Sequence, residues 1–291
     1  MKKIRLKAMA KINLGLDVVR KREDGYHEVR MIMQTIRMYD QIELEPTEAP
    51  GIRVSTNLNY LPTNEDNLVY KAAKLLMDEF DVKKGLNIGL RKFIPVAAGM
   101  AGGSSDAAAV MVGVNRLFHL NLSQKELMER GVKLGADVPY CIMRGTVLAE
   151  GIGEELSVLP AMPKCTVLIA KPPISVSTKV VYEALDSSEI RKHPDIDGLL
   201  AGLEKGDLGE IAAHMGNVLE DVTIPMHPVI DEIKREMTDA GALNAMMSGS
   251  GPTVFGLFEN KMEARKAQER IRIKGLAKQV YVTNIHSARR D

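Results

Sequence analysis

The stretch PVAAGMAGGSSDAAA, residues 95–109, joins a predicted strand to an alanine-rich helix and contains no bulky polar side chain. Its side chains offer only two hydroxyls and one carboxylate, so a ligand bound here is held by main-chain N–H groups. Glycines permit positive φ and close approach, successive N–H groups form a concave nest, and a helix N-terminus carries partial positive charge. The stretch therefore predicts an anion site, above all for polyphosphate, with positive φ at Gly102 and Gly103.

Two common nucleotide motifs do not fit this stretch. A Walker A loop requires a lysine in G-x-x-x-x-G-K-[ST], and GMAGGSSD has none. The dinucleotide fingerprint fails as well. A structural alternative stays open, in which the glycines form a close-packed helix N-terminus with Ser104 or Ser105 as its N-cap.

Composition limits the class of protein. The 291 residues are 45% hydrophobic and 26% charged, which predicts a globular protein of two domains. The net charge is +1, so we expect no nucleic-acid partner and no anionic membrane. We predict a reduced, cytoplasmic location from three observations. The two cysteines lie in apolar surroundings, the N-terminus has no apolar signal core, and no apolar run is long enough to span a membrane.

Periodicity divides the chain near residue 155. Before it we predict two strands joined by a turn at Asp24-Gly25, and a strand that ends at Pro95. We predict helices in DNLVYKAAKLLMDEF, from Ser105 onward, and after a Ser123–Glu126 capping box. The last part of this region, GADVPYCIMRGTVLAEGIGEEL, is predicted to form strands. After it, strands alternate with helices over 178–186, 196–219 and HPVIDEIKREMTDAGA. This predicts domains 1–155 and 156–291, the second a small α+β sandwich.

Three motifs in the same order resemble the GHMP kinase superfamily, which includes galactokinase, homoserine kinase, mevalonate kinase and phosphomevalonate kinase. The glycine-rich stretch resembles its phosphate loop, P-x-x-x-G-[LM]-[GA]-G-G-S-S-[DN]-A-A, and AKINLGLDV and MSGSGPTVFGLF resemble its other two motifs. The resemblance covers nearly the whole chain. It implies an α+β, two-domain GHMP-kinase fold: an N-terminal mixed sheet with helices and the phosphate loop, then a C-terminal ferredoxin-like α/β sandwich.

Four stretches resemble one branch of the superfamily: AKINLGLDVVRKREDGYHEV, EDNLVYKAA, LGADVPYC and SGSGPTVFGLF. The resemblance implies ATP-dependent phosphorylation of the C2 hydroxyl of a cytidine-diphosphate-linked sugar alcohol, in the non-mevalonate route to isoprenoid precursors. It also implies small-molecule partners and a monomer or homodimer. Two alternatives remain: a kinase for another alcohol, of the homoserine or mevalonate type, and a non-catalytic nucleotide-binding protein on the same scaffold.

Phosphoryl transfer needs a group that takes the proton of the attacking hydroxyl. The resemblance implies that Asp137, in a predicted loop, is this base and that Lys11 orients it. Without the resemblance, a solvated loop aspartate and an edge-strand lysine are the simpler interpretations.

The resemblance also assigns the two ligands. ATP is expected to contact Pro95, Val96, Ala97, Ala98, Gly99, Met100, Ala101, Gly102, Gly103, Ser104 and Ser105, with Asn67 and Leu68 against adenine. Tyr26 and Tyr182 would sandwich the cytosine and His27 would read its edge, since a base offers a π-face and polar edge atoms. Asn13, Asp17, Ser175 and Thr178 complete the substrate residues. Mg²⁺ is implied with ATP, but no carboxylate cluster with ligand spacing identifies protein ligands for it.

Overall fold

The computed structural model describes residues 3–188, 190 and 192–287. The chain forms two compact units. The first comprises the described residues of Met1–Ala10, Met38–Val96 and Ala101–Arg144, and the second those of Lys11–Arg37, Ala97–Met100 and Gly145–Asp291. Strands β1 (Ile4–Lys21) and β2 (His27–Thr47) contribute residues to both units. The predicted division between residues 155 and 156 stays a prediction.

The first unit packs helices on a mixed sheet. Strand β3 (Ile52–Thr56) pairs in parallel with β4 (Gly85–Arg91), and β4 pairs antiparallel with the end of β2, from Gln41 opposite Arg91 to Thr47 opposite Gly85. Its helices are α1 (Leu68–Glu79), α2 (Gly102–Leu117), α3 (Gln124–Gly131) and α4 (Asp137–Met143). Helix α2 is buried along most of its length, because its alanines and glycines let α1 and α4 pack closely against it.

The second unit contains two groups of strands. Strand β5 (Thr146–Glu150) pairs antiparallel with β2 and with β6 (Glu155–Val158), and β8 (Gly216–Asn217) pairs in parallel with β1. The other group is an antiparallel sheet in the order β11-β7-β10-β9, formed by β7 (Thr166–Lys171), β9 (Asn244–Met247), β10 (Val254–Phe258) and β11 (Gln279–Asn284).

The described part of the second unit also contains helices. They are α5 (Thr178–Asp186), α6 (Ile196–Lys205), α7 (Leu208–His214), α8 (Glu220–Met226), α9 (Val229–Asp239) and α10 (Lys261–Ile273). Helices α9 and α10 contact the sheet directly, and the core between them includes Leu168, Val254 and Phe258. A buried apolar layer of this kind supplies the main favourable free energy of folding.

Several local predictions are confirmed. Helices α1 and α5 and strand β7 lie where the periodicity places them. The Ser123–Glu126 capping box has both of its hydrogen bonds, and α3 ends at Gly131. These elements are confirmed because their signals are local: the capping residues lie within one helical turn of the groups they satisfy.

Other boundaries were predicted wrongly. Strand β4 ends at Arg91 rather than at Pro95, and 196–219 is not one helical stretch, because Gly206 adopts φ +66° and ends α6. Residues 137–143, predicted as a loop at Asp137 followed by strand, form α4, in which Pro139 is tolerated because the first-turn N–H groups have no intrahelical partner.

The start of α2 also differs from the prediction. The helix begins at Gly102 rather than Ser105, and its N-cap is Ala101, in the left-handed conformation and without a side-chain cap. Ser105 is buried and donates its hydroxyl to the Met9 carbonyl at 2.7 Å. The interpretation of Ser104 or Ser105 as N-cap is therefore wrong.

Candidate active site

The glycine-rich loop takes its left-handed conformations ahead of α2. Positive φ occurs at Ala97 (+50°), Gly99 (+71°) and Ala101 (+52°), whereas Gly102 and Gly103 are helical. The expected positive φ at the last two is therefore wrong. Alternation of left-handed residues with ordinary ones turns successive N–H groups towards one side, which is the geometry of an anion nest.

Gly102 and Gly103 instead lie at close approaches, where a Cβ would make tight contacts. A Cβ at Gly102 would lie 3.2 Å from both the Ile94 Cγ2 atom and the Lys92 ammonium. A Cβ at Gly103 would lie 3.3 Å from the Leu68 side chain. The first turn of α2 is thus in contact with the segment before the loop and with the start of α1.

The loop residues divide into an accessible group and a buried group. Pro95, Ala98, Met100 and Ser105 are buried. The accessible or half-exposed positions, which can present their main chain to a ligand, are Val96, Ala97, Gly99, Ala101, Gly102, Gly103 and Ser104. These are the positions whose main chain would bind the predicted phosphate.

Asn67 and Leu68 lie beside the same helix start. Asn67 caps α1, because its Oδ1 accepts from the Val69 N–H at 3.1 Å, and its amide donates to the Pro62 carbonyl at 2.7 Å. Its side chain is therefore committed to structure, and the contact of Leu68 with Gly103 connects α1 to the loop.

In the second unit, Lys11 contacts the glycine-rich loop. Its side chain is buried, and its ammonium donates to the Asn13 Oδ1 atom at 2.6 Å and to the Gly99 carbonyl at 3.1 Å. Both acceptors are neutral. Because a buried charge is normally compensated by an opposite charge, this lysine favours an anionic ligand.

The C-terminal glycine turn meets the same carbonyl. Ser248 donates its hydroxyl to the Gly99 carbonyl at 2.9 Å, and a Cβ at Gly99 would lie only 2.1 Å from the Ser248 carbonyl oxygen. Asn217 fixes the turn by donating to the carbonyls of Met247 (2.9 Å) and Gly249 (2.8 Å). Asn217 was not predicted from the sequence, because its partners lie 30 and 32 residues further along the chain.

A second group of polar residues surrounds an aromatic pair. The His27 and Tyr182 rings have centroids 4.6 Å apart and are tilted by 41°. His27 Nε2 lies 2.6 Å from one oxygen of Asp186, and the Lys21 ammonium lies 2.6 Å from the other. The hydrogen bonds from His27 and Lys21 hold the pKa of Asp186 below its usual value. Asp186 and Lys21 were not predicted from the sequence.

The remaining predicted substrate residues are scattered around this unit. Tyr26 lies in the turn between β1 and β2 and is 61% exposed. Asp17 pairs with His193 Nδ1 at 2.8 Å, Ser175 is exposed, and the Thr178 hydroxyl lies 2.8 Å from that of Ser250 in the glycine turn. The ring next to Tyr182 is thus His27, and the stacking role of Tyr26 stays a prediction.

Asp137 is the first residue of α4, not part of a loop as expected, and it is half-buried. It belongs to the first unit, whereas Lys11 belongs to the second. Their predicted cooperation stays a prediction.

A buried charged cluster, Asp40, Lys92 and Asp106, lies behind the loop in the first unit. The Lys92 ammonium bonds to a carboxylate oxygen of Asp40 and to the Asp106 Oδ2 atom, the latter at 2.6 Å. In the described part of the chain, the Asp106 Oδ1 atom has no hydrogen-bond partner. Burial, reinforced by the Asp40 charge and opposed by Lys92, raises the pKa of Asp106 to about 8. The sequence analysis noted Asp106 only as the loop carboxylate.

Among the described residues, no three or more His, Cys, Asp or Glu side chains come together as a metal site. Within the same part of the chain, no helix is long and apolar enough to cross a membrane.

Comparison with known families matches residues 67–145 to the GHMP kinases N terminal domain and residues 199–276 to the GHMP kinases C terminal region. The chain belongs to the GHMP kinases. The predictions of an α+β GHMP-kinase fold and of an ATP-dependent kinase are therefore confirmed.

Individual GHMP kinases extend this result. The chain is 58% identical over 283 residues to the 4-diphosphocytidyl-2-C-methyl-D-erythritol kinase of Lachnospira eligens, covering 97% of this chain and 98% of that protein. A solved 4-(cytidine 5'-diphospho)-2C-methyl-D-erythritol kinase is 30% identical with a TM-score of 0.83, covering 98% and 100% of the two chains. The homoserine kinase of Cytophaga hutchinsonii, at 22% identity and a TM-score of 0.78 over 98% of this chain and 96% of that chain, shares the fold.

The raised pKa of Asp106 predicts a dependence of stability on pH. The folded protein keeps a proton that the unfolded chain, with a pKa near 4, releases, so the free energy of unfolding falls as pH rises from about 4 to about 8. Asp106→Asn has no such proton. We expect the stability of the wild type to fall relative to this variant between pH 5 and pH 8, measured by urea denaturation.

The matched control is Asp221→Asn, which removes an exposed first-turn aspartate of α8. Its stability should follow the wild-type pH dependence. If the free energy of unfolding depended on pH in the same way for the wild type and Asp106→Asn, the prediction would be wrong. Asp106 would then have the same pKa in the folded protein as in the unfolded chain.

Proposed function

We propose that this GHMP kinase transfers the γ-phosphoryl group of ATP to the C2 hydroxyl of 4-diphosphocytidyl-2-C-methyl-D-erythritol. The products are the 2-phosphate and ADP, and the step belongs to non-mevalonate isoprenoid precursor biosynthesis in the cytoplasm. The observation that carries the proposal is the 58% identity, over nearly the full length of both chains, to a kinase named for this substrate. The active species is a monomer or homodimer.

In this proposal, the phosphates of ATP bind the main chain of residues 95–105. Left-handed residues at Ala97, Gly99 and Ala101 supply the nest, and the N-terminus of α2 supplies partial positive charge. Adenine lies near Asn67 and Leu68. Because the side chain of Asn67 caps α1, adenine is read by shape and by main-chain atoms there.

Asp137 accepts the proton of the C2 hydroxyl while the hydroxyl oxygen attacks the γ-phosphorus of ATP. The bond between the γ-phosphorus and the β-phosphate oxygen breaks, which releases ADP. Lys11 stabilises the negative charge on the transferring group, since both hydrogen-bond acceptors of its ammonium are neutral. Asn13 orients Lys11 through their 2.6 Å hydrogen bond.

Magnesium enters this site with ATP. No cluster of three or more suitable side chains occurs among the described residues, so they do not form a protein cage for the ion. Mg²⁺ commonly keeps several waters and binds substrate phosphates, and bound in this way it would neutralise phosphate charge.

The cytidine of the substrate is placed at the aromatic pair. Because the Asp186 carboxylate accepts a hydrogen bond, His27 Nε2 is the donor, and Nδ1 of the neutral ring is left as an acceptor. The exocyclic amino group of cytosine is a donor that matches Nδ1. Tyr182 offers its ring face to the base, and Tyr26, Asp17, Ser175 and Thr178 line the remainder of the substrate site. Homoserine and mevalonate carry no nucleobase, so the His27 and Tyr182 rings favour the cytidylyl substrate over these two alcohols.

Substrate identity is tested by a coupled ADP-release assay with the cytidylyl substrate, homoserine and mevalonate side by side. We expect turnover of the first only. ADP release with homoserine or mevalonate instead would establish the other alcohol kinase, and no release with any of the three would favour the non-catalytic alternative.

Removing the base should reduce the rate without weakening binding. Asp137→Asn keeps the shape of the side chain but loses its basicity, so we expect kcat to fall by about 10²-fold or more. Steady-state kinetics with the cytidylyl substrate measures this. The control is Asp221→Asn, since α8 has the same length as α4 and also carries an aspartate in its first turn. A wild-type kcat for Asp137→Asn would rule out this residue as the base.

The partnership of Lys11 and Asp137 is tested by combining variants. Lys11→Met should also lower kcat, and the double variant should lose less than the product of the two single losses, because residues that act as a unit are not additive. Multiplicative losses in the same assay would contradict the partnership.

Stacking in the cytidine site is tested at Tyr182. Tyr182→Phe keeps the ring and should retain near-normal kinetics, whereas Tyr182→Ala should weaken binding of the cytidylyl substrate by about 1 to 3 kcal/mol, the scale of one base stack. Titration calorimetry measures both. The affinity for ATP serves as the internal control and should not change. If Tyr182→Phe weakened substrate binding as much as Tyr182→Ala, the tyrosine hydroxyl and not the ring face would be responsible.

A further inference from the structure

The two ends of the glycine-rich loop touch each other within the first unit. The loop follows Ile94, three residues after β4 ends at Arg91, and enters α2 at Gly102, where a Cβ would lie only 3.2 Å from the Ile94 side chain. The seven residues between them, 95–101, include the left-handed positions of the nest. The shape of the nest therefore depends on how firmly its two ends are held together.

Asp40 holds the first end. It is fully buried, and its Oδ1 atom accepts from the main-chain N–H groups of Phe93 at 2.5 Å and Ile94 at 2.8 Å. Asn57 holds the preceding peptide, because its side chain both accepts from the Lys92 N–H and donates to the Lys92 carbonyl. The chain entering the loop is thus fixed by two side chains.

Asp106 holds the second end. It lies one helical turn after Gly102, so both face Lys92 from the same side of α2. The Lys92 ammonium is shared between the carboxylates of Asp40 and Asp106. The Oδ1 atom of Asp106 has no partner in the described chain, so this side chain holds the helix through its Oδ2 atom, which accepts from Lys92.

We propose that Asp106 is a positioning residue for ATP: through Lys92 and Asp40, it clamps the two ends of the glycine-rich loop and keeps the phosphate nest formed before ATP arrives. The inference rests on the proposed binding of ATP phosphates to this loop. It adds a role for three side chains that need not touch the nucleotide.

Preorganisation is the physical reason for the effect. A loop that is already in its bound conformation does not lose conformational entropy when the ligand binds, so its affinity is higher. A buried cluster of two carboxyl groups and one ammonium is a costly means of stabilising a fold, because desolvation opposes the attraction between its charged groups. Because the cluster connects both ends of the glycine-rich loop, it can position this loop as well as stabilise the fold.

The test compares two substitutions of Asp106. Asp106→Asn keeps an oxygen that accepts from Lys92, whereas Asp106→Ala removes the attachment of α2 and leaves Lys92 and Asp40 as a neutral pair. By titration calorimetry with MgATP at pH 7, we expect Asp106→Ala to raise the Kd by about tenfold, the loss expected for one charge-assisted hydrogen bond. Asp106→Asn should stay near the wild-type Kd.

Kinetics and exchange give independent readouts. Asp106→Ala should raise the KM for ATP while kcat and the KM for the cytidylyl substrate change little, because ATP at saturation restores the nest. Hydrogen–deuterium exchange of residues 95–101 should be faster in Asp106→Ala without ATP. If Asp106→Ala does not fold, Asp106→Ser removes the carboxyl group and leaves a polar atom near the ammonium.

The control is Glu236→Ala, which removes another buried carboxylate with two cationic partners, Arg270 at 2.9 Å and Lys274 at 2.6 Å. It should lower stability without changing the Kd for ATP. Wild-type affinity in Asp106→Ala, equal losses in Asp106→Asn and Asp106→Ala, or an equal loss in Glu236→Ala would overturn the clamp. Absence of ATP binding in the wild type would instead refute the proposed function.

Discussion

The carbonyl oxygen of Gly99 is the point on which the second unit's part of the site depends. It accepts from the Lys11 ammonium and from the Ser248 hydroxyl, so the N-terminal motif, the glycine-rich loop and the C-terminal glycine turn meet at one atom. No side chain fits at residue 99, because the Ser248 main chain lies too close. The three motifs that identify the family are therefore also the three segments that this contact holds together.

Lys11 and Lys92, which are buried in the described part of the chain, show how the surroundings of a charge decide its use. Lys11 has two neutral acceptors, so its positive charge is available to an anion. Lys92 has two carboxylates, so its charge is compensated within the protein and serves to connect elements. In both cases desolvation is the cost, and the partners determine whether the lysine acts on a ligand or on the fold.

Under the proposed function, specificity for the substrate alcohol has a different origin from the phosphate chemistry. The GHMP kinase fold is shared with a homoserine kinase at 22% identity, so the fold does not define the alcohol. In this chain the start of β2 and helix α5 bring His27, Tyr182 and Asp186 together. An aromatic face beside an oriented imidazole suits a pyrimidine base, and these residues lie on elements that carry none of the phosphate loop.

The sequence by itself determined the features whose causes are local: the capping box of α3, the helix after the glycine-rich loop, and the family, through motifs that are contiguous in the chain. It placed Asp137 in a loop and positive φ at Gly102 and Gly103, and both expectations were wrong. Only the tertiary structure decided why Gly102 is glycine, that Asn217 holds the C-terminal turn, and that Asp40, Lys92 and Asp106 form one cluster. The physical reason is that close approach and the pairing of buried charges are set by residues far apart in the chain, whereas caps and turns are satisfied within a few residues.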